Sequence, residues 1–494
     1  MPPGADPFIV ILSLVGAVIV VSALLSGLIE RSGVPQMGVL LALGAILGPF
    51  GLGFIDTRLD SPMLRVVSML SLALVLFTDA LSLSLKEIRK HARLALLVVE
   101  PGTVLSALLI TVAGHFLLGL SWPLAAILGA ALASTDPVLL RGLMRRPELP
   151  SSTRLALRLE SGLNDVVLLP IVLVAMTLLG GHGLEEPGAG SRMALQLFLL
   201  GPGAGVAIGL LGVATLDLVR RRLGVRRDYE SLYSLGLCFA AFAAAESMHG
   251  SGFLAAFAAG MTISIFDVEL CDCFQEYGET TAELALLFTF VLLGTSLIWT
   301  GIGMAGGAEW LFAVLCLLVR PLVLLFSLQP ARLDRRSLFL IAWYGPRGLS
   351  SLLLVLLPVF ARTPGSVRLF ELCSLVVLLS VVLHGGSLMF AGKKKKSKAH
   401  VPEKQPAAPP PAAPAPSPLR LAPEGLPESL EIAEMQRLQA AGEPVMILDV
   451  RTLRSLESSD LRAVGAVRVD PERPAQEAER LTLPREAWLI AFCA

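Results

Sequence analysis

Apolar residues fall into long, nearly uninterrupted runs near 8–29, 34–50, 62–81, 94–118, 122–143, 152–179, 193–219, 229–249, 251–267, 280–299, 306–328, 336–361 and 367–391. Each is close to the length of about 20 residues that carries an α-helix across a bilayer, so the pattern predicts about thirteen transmembrane helices. The residues before position 8 lack the basic start of a cleaved leader, and the run 8–29 is expected to be the first span. After 391 the pattern changes. Lys393, Lys394, Lys395, Lys396 and Lys398 close the last run, and 402–423 is rich in proline and alanine, the composition of a semi-rigid spacer. Beyond it the sequence predicts an amphipathic helix near 428–441 and strands at 445–448 and 488–492. The expected fold is an all-α polytopic membrane domain over 1–392, a linker over 393–424 and a small α/β module over 425–494.

Composition agrees, with 54% hydrophobic residues, 16% charged residues and a mean hydropathy of +0.72. The 40 basic residues cancel the 40 acidic ones, so position carries the information and no nucleic-acid partner is expected. Lys86, Arg89, Lys90 and Arg93 share one loop; Arg141, Arg145, Arg146 and Arg154 another; Arg220, Arg221, Arg222, Arg226 and Arg227 a third; Arg332, Arg335 and Arg336 a fourth. These are alternate loops. Basic loops stay in the cytoplasm, which predicts a multi-pass protein of the cell membrane with its N-terminus outside and its C-terminal tail inside. One loop assigned inside by alternation, carrying Asp267, Glu269, Asp272, Glu276 and Glu279, is acidic and weakens that orientation without reversing it. Of six cysteines, Cys238, Cys316 and Cys373 lie inside apolar runs, and Cys271 and Cys273 are too close for a zinc pair. No disulfide framework and no resident cofactor are expected.

Chemistry concentrates where polar residues interrupt the spans. In Glu160-Ser161-Gly162-Leu163-Asn164-Asp165, at 100° per residue, Glu160, Ser161, Asn164 and Asp165 share a helix arc of about 140°. A charge at bilayer depth costs roughly 2.5–3.5 kcal/mol on insertion scales, a cost usually tolerated where an ion, a proton or a buried partner offsets it. Ser134-Thr135-Asp136-Pro137 interrupts the fifth span. Pro137 cannot bond the Ala133 carbonyl, so a break with free backbone oxygens is expected beside Asp136. Gly345-Pro346-Arg347-Gly348 breaks the twelfth span, with a base where the first break has an acid. If the seventh span links two inverted six-span repeats, the breaks correspond, which is the sequence pattern of a midplane transport site.

Thr135-Asp136-Pro137, Glu160-Ser161-x-x-Asn164-Asp165, Arg320-Pro321-Leu322 and Arg347-Gly348 together resemble the first cation/proton antiporter family, of the sodium/proton exchanger type, over about residues 8–391. The resemblance implies a thirteen-span inverted-repeat fold, a homodimer in the lipid bilayer, and exchange of Na+ or K+ for H+. It also implies roles. Asp165 would hold cation or proton in turn; Asp136, Ser161 and the Thr135 carbonyl would complete the cation shell; Asn164 would orient the site; and Asp79 would lie near the ion. Glu160 would pair with Arg320, and Arg347 would offset charge at the crossing. Asn164, where electrogenic relatives carry a second aspartate, implies one proton per cation. Two other readings stay open: an uncoupled cation channel, and a membrane anchor for a sulfur or redox module.

The tail motifs Glu443-Pro444-Val445-Met446-Ile447-Leu448-Asp449-Val450-Arg451, Gly465-Ala466-Val467 and Ile490-Ala491-Phe492-Cys493 resemble a rhodanese-like domain in which Cys493 matches the sulfur-carrying cysteine. The loop that would cradle a persulfide does not follow, so a truncated module without sulfurtransferase activity is expected. Elsewhere, Glu100 and Glu246 read as helix-end acids, and His115, His249 and His384 as interfacial histidines rather than pH sensors. Gly201, Gly205 and Gly209 form a small-residue face suited to close helix packing more than to a dimer contact.

Overall fold

Apolar runs with no water to satisfy their peptide groups must close their hydrogen bonds internally, and these fold as helices. A computed structural model describes residues 36–83, 85–136, 150–179, 189–222, 227–266, 268–331 and 333–393, then 441–450, 465–469 and 487–492, with a few isolated positions. The span expected at 8–29 lies largely outside these residues, as do Pro137 and the linker. In order come α1 (Gln36–Leu47), α2 (Pro62–Ser82), α3 (Ala92–Leu118), α4 (Trp122–Ala133), α5 (Ser151–Leu179), α6 (Gly201–Arg222) and α7 (Arg227–Ser247). Then follow α8 (Gly252–Phe266), α9 (Val268–Thr295), α10 (Gly307–Ser327), α11 (Arg335–Trp343), α12 (Leu349–Phe360) and α13 (Ser366–Lys393).

Among the described residues, six stretches are long and apolar enough to cross a membrane: α2, α3, most of α5, α6 with the turns before it, α10, and most of α13. The pair Leu284–Thr295 and Leu297–Met304, bent by 59°, is a seventh if taken as one span. α3 is not uniform: it passes through a π-helical turn, Val98–Leu105, around Pro101, the usual accommodation when proline removes a helical donor.

The short helices are the most enclosed. From Leu349 to Val359 every residue of α12 is buried, as is α4 from Ile127 to Ala133. A helix apolar on all sides belongs in the middle of a bundle, and the longer helices surround these two. α6 packs on α8 through Gly201, Gly205 and Gly209, opposite Ser251, Ala255 and Thr262. A Cβ on Gly205 would collide with the Ala255 carbonyl, so the small-residue face serves close helix packing. The outer side of α6, with Val206, Leu210, Leu211 and Leu218, stays exposed, as a lipid-facing surface does.

The chain divides into two units, Met1–Ala399 and His400–Ala494. In the second, β1 (Val445–Asp449) lies between β2 (Val467–Arg468) and β3 (Trp488–Phe492), parallel to both. The strand expected at 445–448 extends one residue further, to Asp449. Cys493 lies outside the described residues.

Candidate functional site at the crossing of two broken helices

α4 and α12 are each 12 residues long, about 18 Å at 1.5 Å per residue, against a hydrocarbon core of about 30 Å. Neither can cross alone, and their broken ends meet. α4 stops at Ala133 and Ser134 turns extended. α11 ends at Trp343, residues 344–348 are unwound, and α12 begins at Leu349. The two ends interlock. The Asp136 backbone N–H donates to the Pro346 carbonyl (2.9 Å), while the Leu349 N–H donates to Asp136 Oδ2 (2.5 Å).

Arg347 completes the knot from the other side. Its Nη1 donates to the Ala133 and Ser134 carbonyls at 2.6 and 3.1 Å, and its backbone N–H donates to Ser380 Oγ on α13 (2.7 Å). A cation thus sits on the partly negative carboxyl end of α4, and a carboxylate on the partly positive amino end of α12. This geometry excludes side chains at two places. A Cβ on Gly348 would run into the Asp136 carboxylate, and one on Gly345 into the Arg320 guanidinium.

The expected free oxygens beside Asp136 are a point of correction. The Ala133 and Ser134 carbonyls are engaged by Arg347, and the Thr135 carbonyl and Oγ1 accept from Asn164 Nδ2 at 3.3 and 2.9 Å. Carbonyls released by a break inside lipid must find donors, and here the protein supplies them.

Asp165, on α5, is 2% exposed. Ser134 Oγ donates to its Oδ1 (2.5 Å), and Asp136 and the Ser350 hydroxyl of α12 are its other electrostatic neighbours. Ser161, expected in the same shell, turns its hydroxyl to the Arg158 carbonyl of its own helix (3.3 Å). Asp165 Oδ2, Asn164 Oδ1 and Arg347 Nη2 are buried without a hydrogen-bonding partner among the described residues.

Glu160 and Arg320 meet as expected, each 2% exposed: Arg320 Nε and Nη2 donate to the two Glu160 carboxylate oxygens at 2.7 and 2.5 Å. Nη1 reaches the Ala342 carbonyl (2.8 Å), so the fork ties α5, α10 and α11 together. Asp79 is partly buried near the end of α2, where its carbonyl accepts the Ser82 hydroxyl (2.8 Å). No group of three or more His, Cys, Asp or Glu side chains able to hold a metal ion occurs among the described residues.

Residues 18–394 match the family model described as the sodium/hydrogen exchanger, transmembrane. The chain belongs to that family. It is 26% identical over 385 residues to the K(+)/H(+) antiporter NhaP of Alkalimonas amylolytica, covering 76% of this chain and 65% of that protein. It is 27% identical over 398 residues to the K(+)/H(+) antiporter NhaP2 of Shewanella sp. strain MR-4, covering 78% and 67%. The chain thus spans about two thirds of the length of these relatives. The solved sodium proton antiporter MjNhaP1 from Methanocaldococcus jannaschii superposes with a TM-score of 0.62 at 20% identity, covering 77% of this chain and all of that one. That likeness shows a shared fold.

Within this exchanger-family fold, the residues that the pattern reading passed over are hydroxyls: Ser134 on Asp165, Ser350 beside it, Ser351 donating to the Ser134 carbonyl (3.4 Å), and Ser380 on the Arg347 amide. For Ser134, Ser350 and Ser351 the available signal was position, because each lies at or beside a break; Ser380, inside α13, carried no such signal. Glu246 accepts from the Gly252 amide (2.9 Å), a helix-end role, and the Glu100 side chain is exposed on the π turn. His115 bonds the Leu120 carbonyl (2.7 Å), whereas His384 is buried against Trp343 and Ser380 rather than interfacial.

Proposed function

We propose that the chain exchanges sodium or potassium ions for protons across the cell membrane, one for one, with Asp165 holding either guest. The observation that supports this best is the buried Asp165 carboxylate with one oxygen unsatisfied, placed where two broken helices meet in a sodium/hydrogen exchanger family chain. In this reading Asp136, Thr135 and Asn164 shape the pocket beside it, Ser134 is a further donor, and Ser161 and Asp79 keep the places near the ion that the family resemblance implies. The relatives' names extend the cation choice to potassium, and the structural neighbour's to sodium.

The physics gives coupling without a separate energy source. A proton and a cation compete for the same oxygens, so the site holds one guest or the other. A bare carboxylate carried through a low-dielectric path costs about 2.5–3.5 kcal/mol more than a neutralised one, roughly a hundredfold in rate. Only the occupied site then crosses readily. With Asn164 neutral beside it, one positive charge moves each way and exchange is electroneutral. A fixed channel would not need this arrangement.

The reading includes a cytoplasmic C-terminal tail, on the basic-loop argument, and a homodimer. It also includes a rhodanese-like module over 425–494, after the 393–424 linker. The test is proton movement in everted vesicles, followed by a pH-sensitive dye while each alkali cation is added in turn. The parent should respond to Na+ or K+ whether or not the membrane potential is clamped, and Asp165→Asn should give no response. Exchange retained by Asp165→Asn would overturn the assignment.

A further inference from the structure

Ser380, His384 and Ser387 stand at i, i+4 and i+7 along α13 and so share one face of that helix. This face meets the break between α11 and α12 at two points. At the end of α11, the Trp343 indole Nε1 donates to Ser387 Oγ (3.2 Å), and its ring leans on the His384 imidazole with the centroids 5.6 Å apart. Four residues on, the Arg347 N–H donates to Ser380 Oγ (2.7 Å), and the same oxygen lies 3.0 Å from His384 Nδ1. Both Ser380 and His384 are buried.

An unwound stretch at bilayer depth lacks the internal bonds of a helix, so its place is set by the groups that accept its amides. Little slack is available here. Arg347 reaches the end of α4 through Nη1, and the next residue, Gly348, lies so close to the Asp136 carboxylate that a Cβ would not fit. A hydroxyl that donates one hydrogen bond accepts another more strongly, so the hold of Ser380 on the Arg347 amide depends on where the serine proton goes. Nδ1 of His384 is within reach of it. With Nδ1 bare, Oγ accepts once and donates once; with a proton on Nδ1, Oγ would face two donors and its own proton would need another acceptor. The first arrangement leaves Nε2 as the ring's donor, and the Trp343 backbone is the ring's other hydrogen-bonding neighbour.

We propose that His384 is a positioning residue for cation exchange: its bare Nδ1 accepts the Ser380 hydroxyl, Ser380 holds the Arg347 amide, and the crossing at Asp136 thereby keeps its place. The consequence for transport rests on the exchange reading, whereas the hydrogen bonds do not.

Purified full-length protein is reconstituted in liposomes, and cation-driven proton flux is measured for the parent, His384→Leu, His384→Asn, Ser380→Ala and His384→Leu/Ser380→Ala, each required to elute monodisperse beforehand. His384→Leu should slow exchange about threefold to tenfold, the loss expected for one buried neutral hydrogen bond. Asparagine places an acceptor where Nδ1 stood, so His384→Asn should return to within about twofold of the parent, and His384→Leu should add nothing in the Ser380→Ala background. His384→Leu at the parent rate, His384→Asn as slow as His384→Leu, or effects that multiply in the double variant would overturn the proposal. In parallel, nitrogen-15 NMR of histidine-labelled protein in the same liposomes reads the ring directly, the His384 signals being those lost in His384→Asn. Nδ1 should be bare and should shift in Ser380→Ala; a protonated Nδ1, or one that Ser380→Ala leaves unmoved, would overturn the hydrogen bonds whether or not the parent transports. A parent without cation-driven flux would instead overturn the exchange reading, and the positioning role with it, while the NMR result still decides the hydrogen bonds.

Discussion

Glu160→Gln is the most informative single perturbation, because it removes a charge and keeps the shape. In the parent, the Arg320 fork is satisfied by both Glu160 oxygens and the Ala342 carbonyl, and both partners are 98% shielded. Removing one partner of such a pair strands the other in a poorly solvated interior, at about 3–5 kcal/mol. The two single variants should not cost the same. A carboxylate stranded by Arg320→Met can take up a proton, whereas a guanidinium stranded by Glu160→Gln cannot lose one. Glu160→Gln should therefore be the worse of the two. The double variant Glu160→Gln/Arg320→Met carries neither charge and should recover much of the loss, with a coupling energy of about 2 kcal/mol or more. The assay is reversible unfolding in mixed micelles, with vesicle exchange measured on the same samples. If the pair is scaffold, the double variant keeps Asp165-dependent exchange. A single variant within about 0.5 kcal/mol of the parent, or a double variant as costly as the sum of the singles, would refute the reasoning.

Ser134→Ala removes the donor on Asp165 Oδ1; a hydrogen bond to a charged group is worth about 1.5–3 kcal/mol, so the KM for the driving cation should change at least tenfold, read from vesicle kinetics. An unchanged KM would place Ser134 outside the site. Gly348→Ala sets a methyl group against the Asp136 carboxylate and should abolish exchange in protein that still elutes as a folded species, whereas Gly303→Ala, with open space around it, should be silent. Asp334 caps α11 by accepting from the Ser337 amide (3.0 Å), and those hydrogen bonds hold its carboxyl below the ordinary range. Its stabilising contribution is therefore complete above about pH 4, the unfolded value, and fades as pH falls through the lower folded value. Hydrogen exchange of the first amides of α11 should accelerate in Asp334→Ala at pH 7, and rates equal to the parent's would contradict the cap.

Much of this was legible in one dimension because lipid is an unforgiving solvent. A span must be apolar for about 20 residues, so the runs, the two interruptions and the polar arc on α5 stand out in the bare chain. The Glu160–Arg320 pair was implied by the family resemblance, and its burial agrees with the rule that a charge out of water needs an opposite one. What the chain could not reveal by itself is which donors meet which acceptors across a crossing. Ser134 rather than Ser161 reaches Asp165, and Arg347 and Asn164 rather than a cation hold the freed carbonyls. Helical period places a residue on a face, but hydrogen bonds are decided over a few tenths of an ångström, and here by how two unwound segments thread past each other.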